Sequence, residues 1–363
     1  MSRFRGSILL VALAALTAVG LAVCEGSQDK PPLLASPRQA QLVRGGIYTF
    51  AGCPVYGAND WFTMNLAGGG SSYAASSIDQ NSAAIIANFA AAFPGTSFSV
   101  NGTDISVSQH PVVNIATSST QKYPVQGLLH GFADDPYGDE PLARFPWNPG
   151  FIQPSNCATD DCHNVVLNAS TCVDYESYDY GQVSWTGSGY RASAVFVHNL
   201  KHPFNDQYKQ NGGLVTKAGL PYLGTADFGE DAALPAIPHI LLMGIPGSDA
   251  SSKAAGGYVA PASGGPPCVS MCANKLPFGA RLRLNPNKYT CPSASTYPQA
   301  NKICIQLETY GLIVTDHNGE ASVFSTQLGA NSDGTNPWNQ NDVAQLNGIP
   351  ITDFDVMTLG TVH

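Results

Sequence analysis

The sequence predicts a mainly-β protein, with one large β-sandwich or jelly-roll domain over residues 46–363 and two peripheral helices. The 363 residues include 37 glycines and 26 prolines, which interrupt helices and favour strands joined by turns. Short apolar or alternating runs recur along the chain, as is typical of strands. Apolar residues make up 44% of the chain, which is ample for a core.

Strands are predicted wherever such a run is short and bounded by turn residues. The clearest runs are His163–Leu167, Ala194–Val197, Ile240–Ile245, Ala280–Leu284, Leu312–Val314 and Phe354–Met357. Asn101-Gly102 predicts a hairpin turn between Phe98–Val100 and Ile105–Val107, because both turn positions tolerate a positive φ.

Two segments have a convincing helical pattern. The first runs from Asp79 to Phe93 and is ended by Pro94; its apolar stripe consists of Ile85, Ile86, Phe89 and Phe93. The second begins at Pro298, which suits a first helical position, and stops at Gly311; its apolar residues are Ile303, Leu307 and Tyr310.

The N-terminus predicts export. Arg3 and Arg5 precede the apolar run Ser7–Val23, so residues 1–24 match a signal peptide and residues 25–45 a flexible tether. Leu21-Ala22-Val23-Cys24 also matches a lipobox, and a lipid anchor on Cys24 is the only membrane attachment that the sequence predicts. Ordinary cleavage nearby is the favoured interpretation, because Val23 is atypical just before the cysteine of a lipobox. The expected location is secreted, cell-surface or periplasmic.

The cysteine count supports an oxidising compartment. The chain has nine cysteines, and removing Cys24 leaves eight, which allow up to four disulfides in 105 pairings. The close pairs Cys157/Cys162 and Cys268/Cys272 are candidates for small loops. Disulfides are favoured over zinc, because no paired CxxC spacing is present.

The net charge of −9 and the absence of a basic run exclude a nucleic-acid partner. An acidic loop, Asp134–Glu140, offers oxygen ligands for calcium, although its spacing is not that of an EF-hand and a solvated loop is the simpler interpretation. No motif requires a cofactor, and calcium is the ion that suits the acidic loop.

The candidate catalytic residues lie on predicted strands or at their ends: Asp161, His163, Glu230, His239 and Asp316. Asp161-Cys162-His163 opens a strand, His239 precedes another, and Asp316-His317 follows a third or forms a plain turn. Each lone histidine has a structural alternative. No nucleophile elbow, P-loop, HExxH or dinucleotide fingerprint is present in the sequence.

Asp174 and Glu176 alternate on one predicted strand, about 7 Å apart along the backbone. This separation can serve glycoside hydrolysis, but a solvated outer face is the favoured interpretation.

Candidate substrate-binding residues are Arg281, Arg283, Trp185 and Tyr310. The two arginines alternate with aliphatic residues, so both guanidinium groups leave one face of the strand, either to bind an anion or to pair with carboxylates across the sheet. Trp185 lies in a loop where it could stack on a sugar or anchor a core.

The order of motifs resembles a broad, largely uncharacterised family of exported bacterial proteins. The matching segments are Cys53-Pro54 with Asn59 and Trp61, Asp161-Cys162-His163, Ala218-Gly219-Leu220-Pro221, Glu230 with Ile237-Pro238-His239, Pro277–Leu284, and Tyr310-Gly311 with Asp316. The resemblance spans residues 47–359 and implies one mainly-β unit, without supplying an activity. Lys217, Met243 and His317 depart from its pattern, which weakens the case for an anionic substrate.

These features favour an exported carbohydrate-active protein, a polysaccharide hydrolase or lyase whose partner is a glycan. In the hydrolase form, Glu230 and Asp161 are the acid/base and partner carboxylate, and His163 and His239 relay protons.

In the lyase form, His239 abstracts the proton alpha to a uronic carboxylate that Arg281 and Arg283 neutralise. A non-catalytic glycan-binding or cell-surface structural protein is the alternative. Metal-dependent chemistry through His163, Glu230 and His239 is a third, less favoured reading, and no metal-ligand set is predicted.

Overall fold

Strands dominate the computed structural model, which describes residues 48–57, 60–66, 78–101, 112–128, 131–133, 144–155, 157–202, 204, 216, 218–246, 255–265, 274–317 and 323–362. The strands are β1 Thr49–Phe50, β2 Cys53–Pro54, β3 Ser97–Asn101, β4 Val113–Ala116, β5 Lys122–Gln126, β6 Gly131–Ala133, β7 Arg144–Pro146, β8 Asp161–Asn168, β9 Val173–Tyr180, β10 Tyr190–Arg191, β11 Ala194–Asn199, β12 Leu241–Ile245, β13 Ala255–Tyr258, β14 Leu276–Phe278, β15 Arg281–Leu284, β16 Leu312–His317, β17 Val323–Gln327 and β18 Phe354–Val356. The mainly-β prediction is confirmed.

Two larger sheets organise the fold. One has five strands in the order β4-β8-β9-β11-β6, and the other has six in the order β18-β15-β16-β12-β17-β3. Both are mixed: β8 pairs antiparallel with β9 but parallel with β4, and β12 pairs parallel with β16 but antiparallel with β17. The predicted strands that fall within the described residues lie at the expected positions in these two sheets.

The five-stranded sheet is buried on both faces. On one face, Val165, Leu167 and Phe196 join a large core that also contains residues of the six-stranded sheet, such as Met243 and Leu282. The opposite face packs against a three-stranded sheet, β10-β5-β7, through a second core of aromatic and aliphatic residues. Burial on both faces explains the continuous apolar runs Val165–Leu167 in β8 and Ala194–Val197 in β11.

The two predicted helices are present as α1, Ser82–Ala92, and α3, Pro298–Thr309; α2, Gly229–Ala232, and α4, Gln340–Val343, are single turns. Helix α1 buries Ile85, Ile86 and Phe89, as its stripe predicts, whereas Phe93 lies just beyond its end. Helix α3 has Pro298 in its first turn, and the N–H groups of Tyr310 and Gly311 both donate to the Gln306 carbonyl.

Within the described residues, three disulfides join Cys53 to Cys172, Cys157 to Cys162, and Cys291 to Cys304. They indicate an oxidising, extracellular environment. Within the described ranges, no helix is long and apolar enough to cross a membrane. The signal peptide and tether, the Ile105–Val107 strand, the acidic loop Asp134–Glu140, and Cys268 and Cys272 lie outside the described residues.

Candidate functional site

The hairpin of β8 and β9 brings polar side chains from two strands onto one face. Asp161 and His163 alternate along β8, and Tyr178 of β9 lies directly opposite His163 in the antiparallel register. The Tyr178 hydroxyl donates to Asp161 Oδ1 at 2.9 Å, and the His163 and Tyr178 rings are 4.9 Å apart. Two of the predicted residues therefore share a site with a tyrosine that sequence reasoning did not single out.

Tyr222 and Asp316 complete this group from distant parts of the chain. The Tyr222 ring lies 4.9 Å from the His163 ring. Asp316, near the end of β16, lies close enough for its carboxylate to raise the pKa of both Tyr178 and Tyr222, after the larger effect of burial. We refer to Asp161, His163, Tyr178, Tyr222 and Asp316 as the Tyr178 site.

Glu176 holds the backbone of Tyr222 and Leu223 in place by two hydrogen bonds. Its two carboxylate oxygens accept the backbone N–H groups of Tyr222 and Leu223, each at 2.8 Å, so the chain that follows Ala218-Gly219-Leu220-Pro221 is tied to β9. Burial raises the pKa of Glu176 to about 7, although these two N–H groups lower it. The site thus rests on a buried acid that fixes the position of Tyr222.

The Tyr178 site is open to solvent on its acidic side. Asp161 is exposed and Asp316 and Tyr178 are half-buried, whereas His163 and Tyr222 are only 7% and 4% exposed. The charged groups that raise the pKa of Tyr178, among the described residues, are the carboxylates of Asp161, Asp316 and Asp179. An accessible group of carboxylates and phenol rings over a buried histidine can exchange protons with a neutral or cationic ligand.

The sequence favours a solvated face for Asp174 and Glu176, and this prediction is wrong. They are 0% and 1% exposed, because the face of β9 that carries them is covered by the large core. His198 of β11 lies opposite Asp174 in the register, and the Tyr56 hydroxyl lies 3.3 Å from His198 Nδ1. Burial raises the pKa of Asp174 well above its usual value, and the neighbouring Glu176 raises it further.

The predicted residues Glu230 and His239 belong to a separate buried group. His239 and the carboxylates of Asp227 and Asp231 are fully buried, with His239 Nε2 lying 3.6 Å from Asp227 Oδ1 and 3.5 Å from Asp231 Oδ2. We refer to these three residues as the Asp227 cluster. Glu230, beside Asp231 in α2, accepts the Ser332 N–H at 2.8 Å, and burial raises its pKa.

The arginines of β15 bind the protein's own backbone. Arg281 donates to the carbonyls of Tyr310, Trp61 and Met64 at 2.9, 3.1 and 2.6 Å. Arg283 donates to the Glu308 carbonyl at 2.9 Å. Both guanidinium groups therefore tie β15 to neighbouring segments.

The two predicted aromatic binding residues, Trp185 and Tyr310, make their contacts with groups outside the Tyr178 site. Trp185 packs against Tyr123, at 4.9 Å between ring centroids, and against Trp147, at 6.5 Å, on the edge of the second core. Tyr310 contributes its carbonyl to Arg281 and packs against the large core.

Sequence reasoning missed Tyr178, Tyr222, Asp227 and Asp231. Tyr178 continues the alternation that begins with Asp174 and Glu176, so the same-face argument contained a signal for it. Tyr222 directly follows the Ala218–Pro221 motif. The Asp227 cluster depends on a loop returning to the start of β12, which no local pattern encodes.

Comparison with protein-family models, curated proteins and solved structures found no match.

Proposed function

We propose that the protein is an exported glycan-acting enzyme that hydrolyses glycosidic bonds at the Tyr178 site. The observation that carries the proposal is the convergence of Asp161 and His163 of β8 with Asp316 of β16 around the rings of Tyr178 and Tyr222. Phenol rings beside carboxylates suit sugars, which present apolar faces and hydroxyl groups together.

Hydrolysis requires one carboxylic acid and one carboxylate on opposite sides of the scissile bond. The acid gives its proton to the leaving glycosidic oxygen, while the carboxylate takes a proton from the water that attacks the anomeric carbon. Asp161 and Asp316 are the pair that supports this chemistry, with the Tyr178 hydroxyl orienting Asp161 and His163 beneath them. Glu230 is less suitable as the partner, because it is 8% exposed and lies beside Asp231.

The lyase form has less support. Its base, His239, is 0% exposed, and the guanidinium group of Arg281 is engaged with three backbone carbonyls. A uronic carboxylate entering the Tyr178 site would meet the like charges of Asp161 and Asp316. We therefore expect neutral or cationic glycans rather than polyuronates.

The non-catalytic alternative uses the same surface. Tyr178 and Tyr222 could hold a sugar without cleaving it, and the protein would then be a glycan-binding or cell-surface structural protein. Only a product assay separates this alternative from the hydrolase.

We further propose that the five- and six-stranded sheets stack as a sandwich. Asp161, His163 and Tyr178 belong to the first sheet and Asp316 to the second. Residues of both sheets share the large core, which supports this arrangement.

The experiment is a panel of neutral, cationic and uronic polysaccharides incubated with the mature protein. Products are read as new reducing ends and as the ultraviolet absorbance of unsaturated sugars. We expect reducing ends without ultraviolet absorbance, on neutral or cationic glycans. Equal rises in both signals would establish a lyase instead, and retention of a glycan without any product would establish a binding protein.

A further inference from the structure

We propose that Asp227, Asp231 and His239 form a structural metal site that binds Zn²⁺. The three side chains come from the loop before α2, from α2 itself, and from the segment that precedes β12. One ligand atom from each, the imidazole nitrogen and two carboxylate oxygens, lies within 4.8 Å of the others, and all three residues are buried.

The separations fit a metal better than a shared proton. His239 Nε2 lies 3.6 and 3.5 Å from the nearest oxygens of Asp227 and Asp231. A hydrogen bond from an imidazolium to a carboxylate is about 2.7–2.9 Å long. In a tetrahedral zinc site with bonds of about 2.1 Å, neighbouring ligand atoms are roughly 3.4 Å apart.

The histidine is oriented as a metal ligand. Its Nδ1 lies 2.8 Å from the backbone carbonyl of Ile240, so Nδ1–H donates there and the Nε2 lone pair points toward the carboxylates. Metal-binding histidines commonly donate their second ring N–H to a carbonyl in this way. The Tyr48 ring, 4.9 Å from the imidazole, packs beside it.

The two aspartates differ in how they are held: Asp231 is fixed by hydrogen bonds, whereas both oxygens of Asp227 are available to a metal. Asp231 is held by the Tyr48 hydroxyl on Oδ1, at 2.7 Å, and by the Phe228 N–H on Oδ2, at 2.9 Å. Asp227 is 0% exposed, and neither of its oxygens accepts a hydrogen bond within the described part of the chain. Leaving a buried carboxylate without a donor is costly, whereas a bidentate Asp227 would complete four coordination positions.

Charge and ligand type favour zinc. Two aspartates, a neutral histidine and Zn²⁺ sum to zero, which suits a buried cluster, and the half-buried Lys302 adds one positive charge near both aspartates. The imidazole nitrogen disfavours calcium and magnesium, which prefer oxygen ligands throughout. Since the ligands are buried, the site would join α2 to the start of β12 rather than carry out catalysis.

The test uses the full mature chain, refolded with its disulfides formed, in the presence of Zn²⁺ or Co²⁺ and then freed of excess metal. We expect one metal per chain by elemental analysis, and a higher Tm with Zn²⁺ than after refolding with a chelator. Co²⁺ should give visible ligand-field bands without a thiolate charge-transfer band. The proposal would be overturned if the wild-type protein held no more metal than a buffer blank, or if its cobalt form showed a thiolate band.

Matched variants locate the metal. Asp227→Asn and His239→Gln should each lose it, whereas Asp174→Asn, which alters another fully buried carboxylate, should retain one equivalent. Equal metal content in all three variants would overturn the assignment. If Asp227→Asn does not fold, His239→Gln decides, because loss of the metal from a folded His239→Gln chain places the site at this histidine.

Discussion

The Arg281 side chain has a structural role, because its guanidinium group binds the backbone of the protein. Its guanidinium group donates to the carbonyls of Trp61, Met64 and Tyr310, three positions that no helix or strand of the described chain contains. The planar fork of arginine reaches all three at once, and a lysine ammonium cannot reproduce that geometry. The alternation of arginines in β15 was visible in the sequence, but their backbone partners were not.

Replacing Arg281 with lysine should therefore lower the free energy of unfolding by about 3 kcal/mol, since hydrogen bonds from a buried charge are lost. Arg283→Lys is the matched control, because Arg283 is partly exposed and, among the described residues, donates to one carbonyl, that of Glu308; its cost should stay within about 1 kcal/mol. Urea unfolding measures both. Equal losses in the two variants would contradict the role given to Arg281.

Asp174 and Glu176 should make stability depend on pH. The pKa of Glu176 rises from 4.5 to about 7 in the folded state, and that of Asp174 also rises well above its usual value. The folded state therefore binds more protons than the unfolded state in this window. Stability should be fully present below about pH 4 and should fall as the pH rises toward 7, by roughly 3 kcal/mol for Glu176 alone.

Asp174→Asn should reduce that pH dependence, because it removes one of the two buried acids while keeping the shape of the side chain. The measurement is the free energy of unfolding between pH 4 and 8, relative to the exposed control Asp160→Asn. An Asp174→Asn variant with the same slope as the wild-type protein would show that these carboxyl groups titrate normally.

At the scale of elements, Gly311 is the residue on which the end of α3 depends. It has φ +78°, and a Cβ there would lie 2.1 Å from the Leu282 carbonyl oxygen. Gly348 also has a positive φ, +94°, but a Cβ there would meet nothing within 4 Å. The two glycines therefore separate backbone strain from a steric clash.

Gly311→Ala should cost about 3 kcal/mol or more, because strain and clash combine. Gly348→Ala should cost only about 1–2 kcal/mol, from strain alone. Thermal unfolding of both variants tests the difference. A Gly311→Ala variant as stable as Gly348→Ala would contradict the close approach of α3 to β15.

The Cys53–Cys172 disulfide closes a span of 119 residues and ties β2 to the turn between β8 and β9. Loop-closure entropy predicts that removing it by a double change to alanine costs about 5 kcal/mol. The Cys157–Cys162 bond closes a span of 5 residues, and its removal should cost about 2 kcal/mol. Denaturant unfolding of the two double variants measures the loss in free energy of unfolding for each. A larger loss on removing Cys157–Cys162 than on removing Cys53–Cys172 would contradict this prediction.

The elements themselves were largely predictable from sequence. Helix α3 has a proline start, an apolar stripe and a glycine stop, and these are local signals that tertiary contacts reinforce. Strands such as β12 and β16 were visible as apolar runs. Their neighbours were not, because the pairing of β12 with β16 and β17 joins positions about 70 to 80 residues apart, and side-chain alternation does not specify a partner strand.

At the scale of the whole molecule, the site exists only because two sheets and a connecting loop meet. Asp161, His163 and Asp316 were candidates from sequence, since they lie at strand ends. Their grouping with Tyr222 depends on Glu176 holding the 222–223 backbone, a contact between residues 46 and 47 positions apart. Sequence spacing could suggest the members of the site but not their meeting.

The proposed role of the Tyr178 site is tested most directly by the rate of reducing-end release from the most responsive glycan. We expect Asp161→Asn and Asp316→Asn each to lose about 100-fold or more, as expected when a general acid or base is removed. Asp160→Asn, which changes an exposed neighbouring carboxylate, should keep wild-type activity. Full activity in Asp161→Asn and Asp316→Asn, with the fold intact, would contradict the assignment of catalysis to this site.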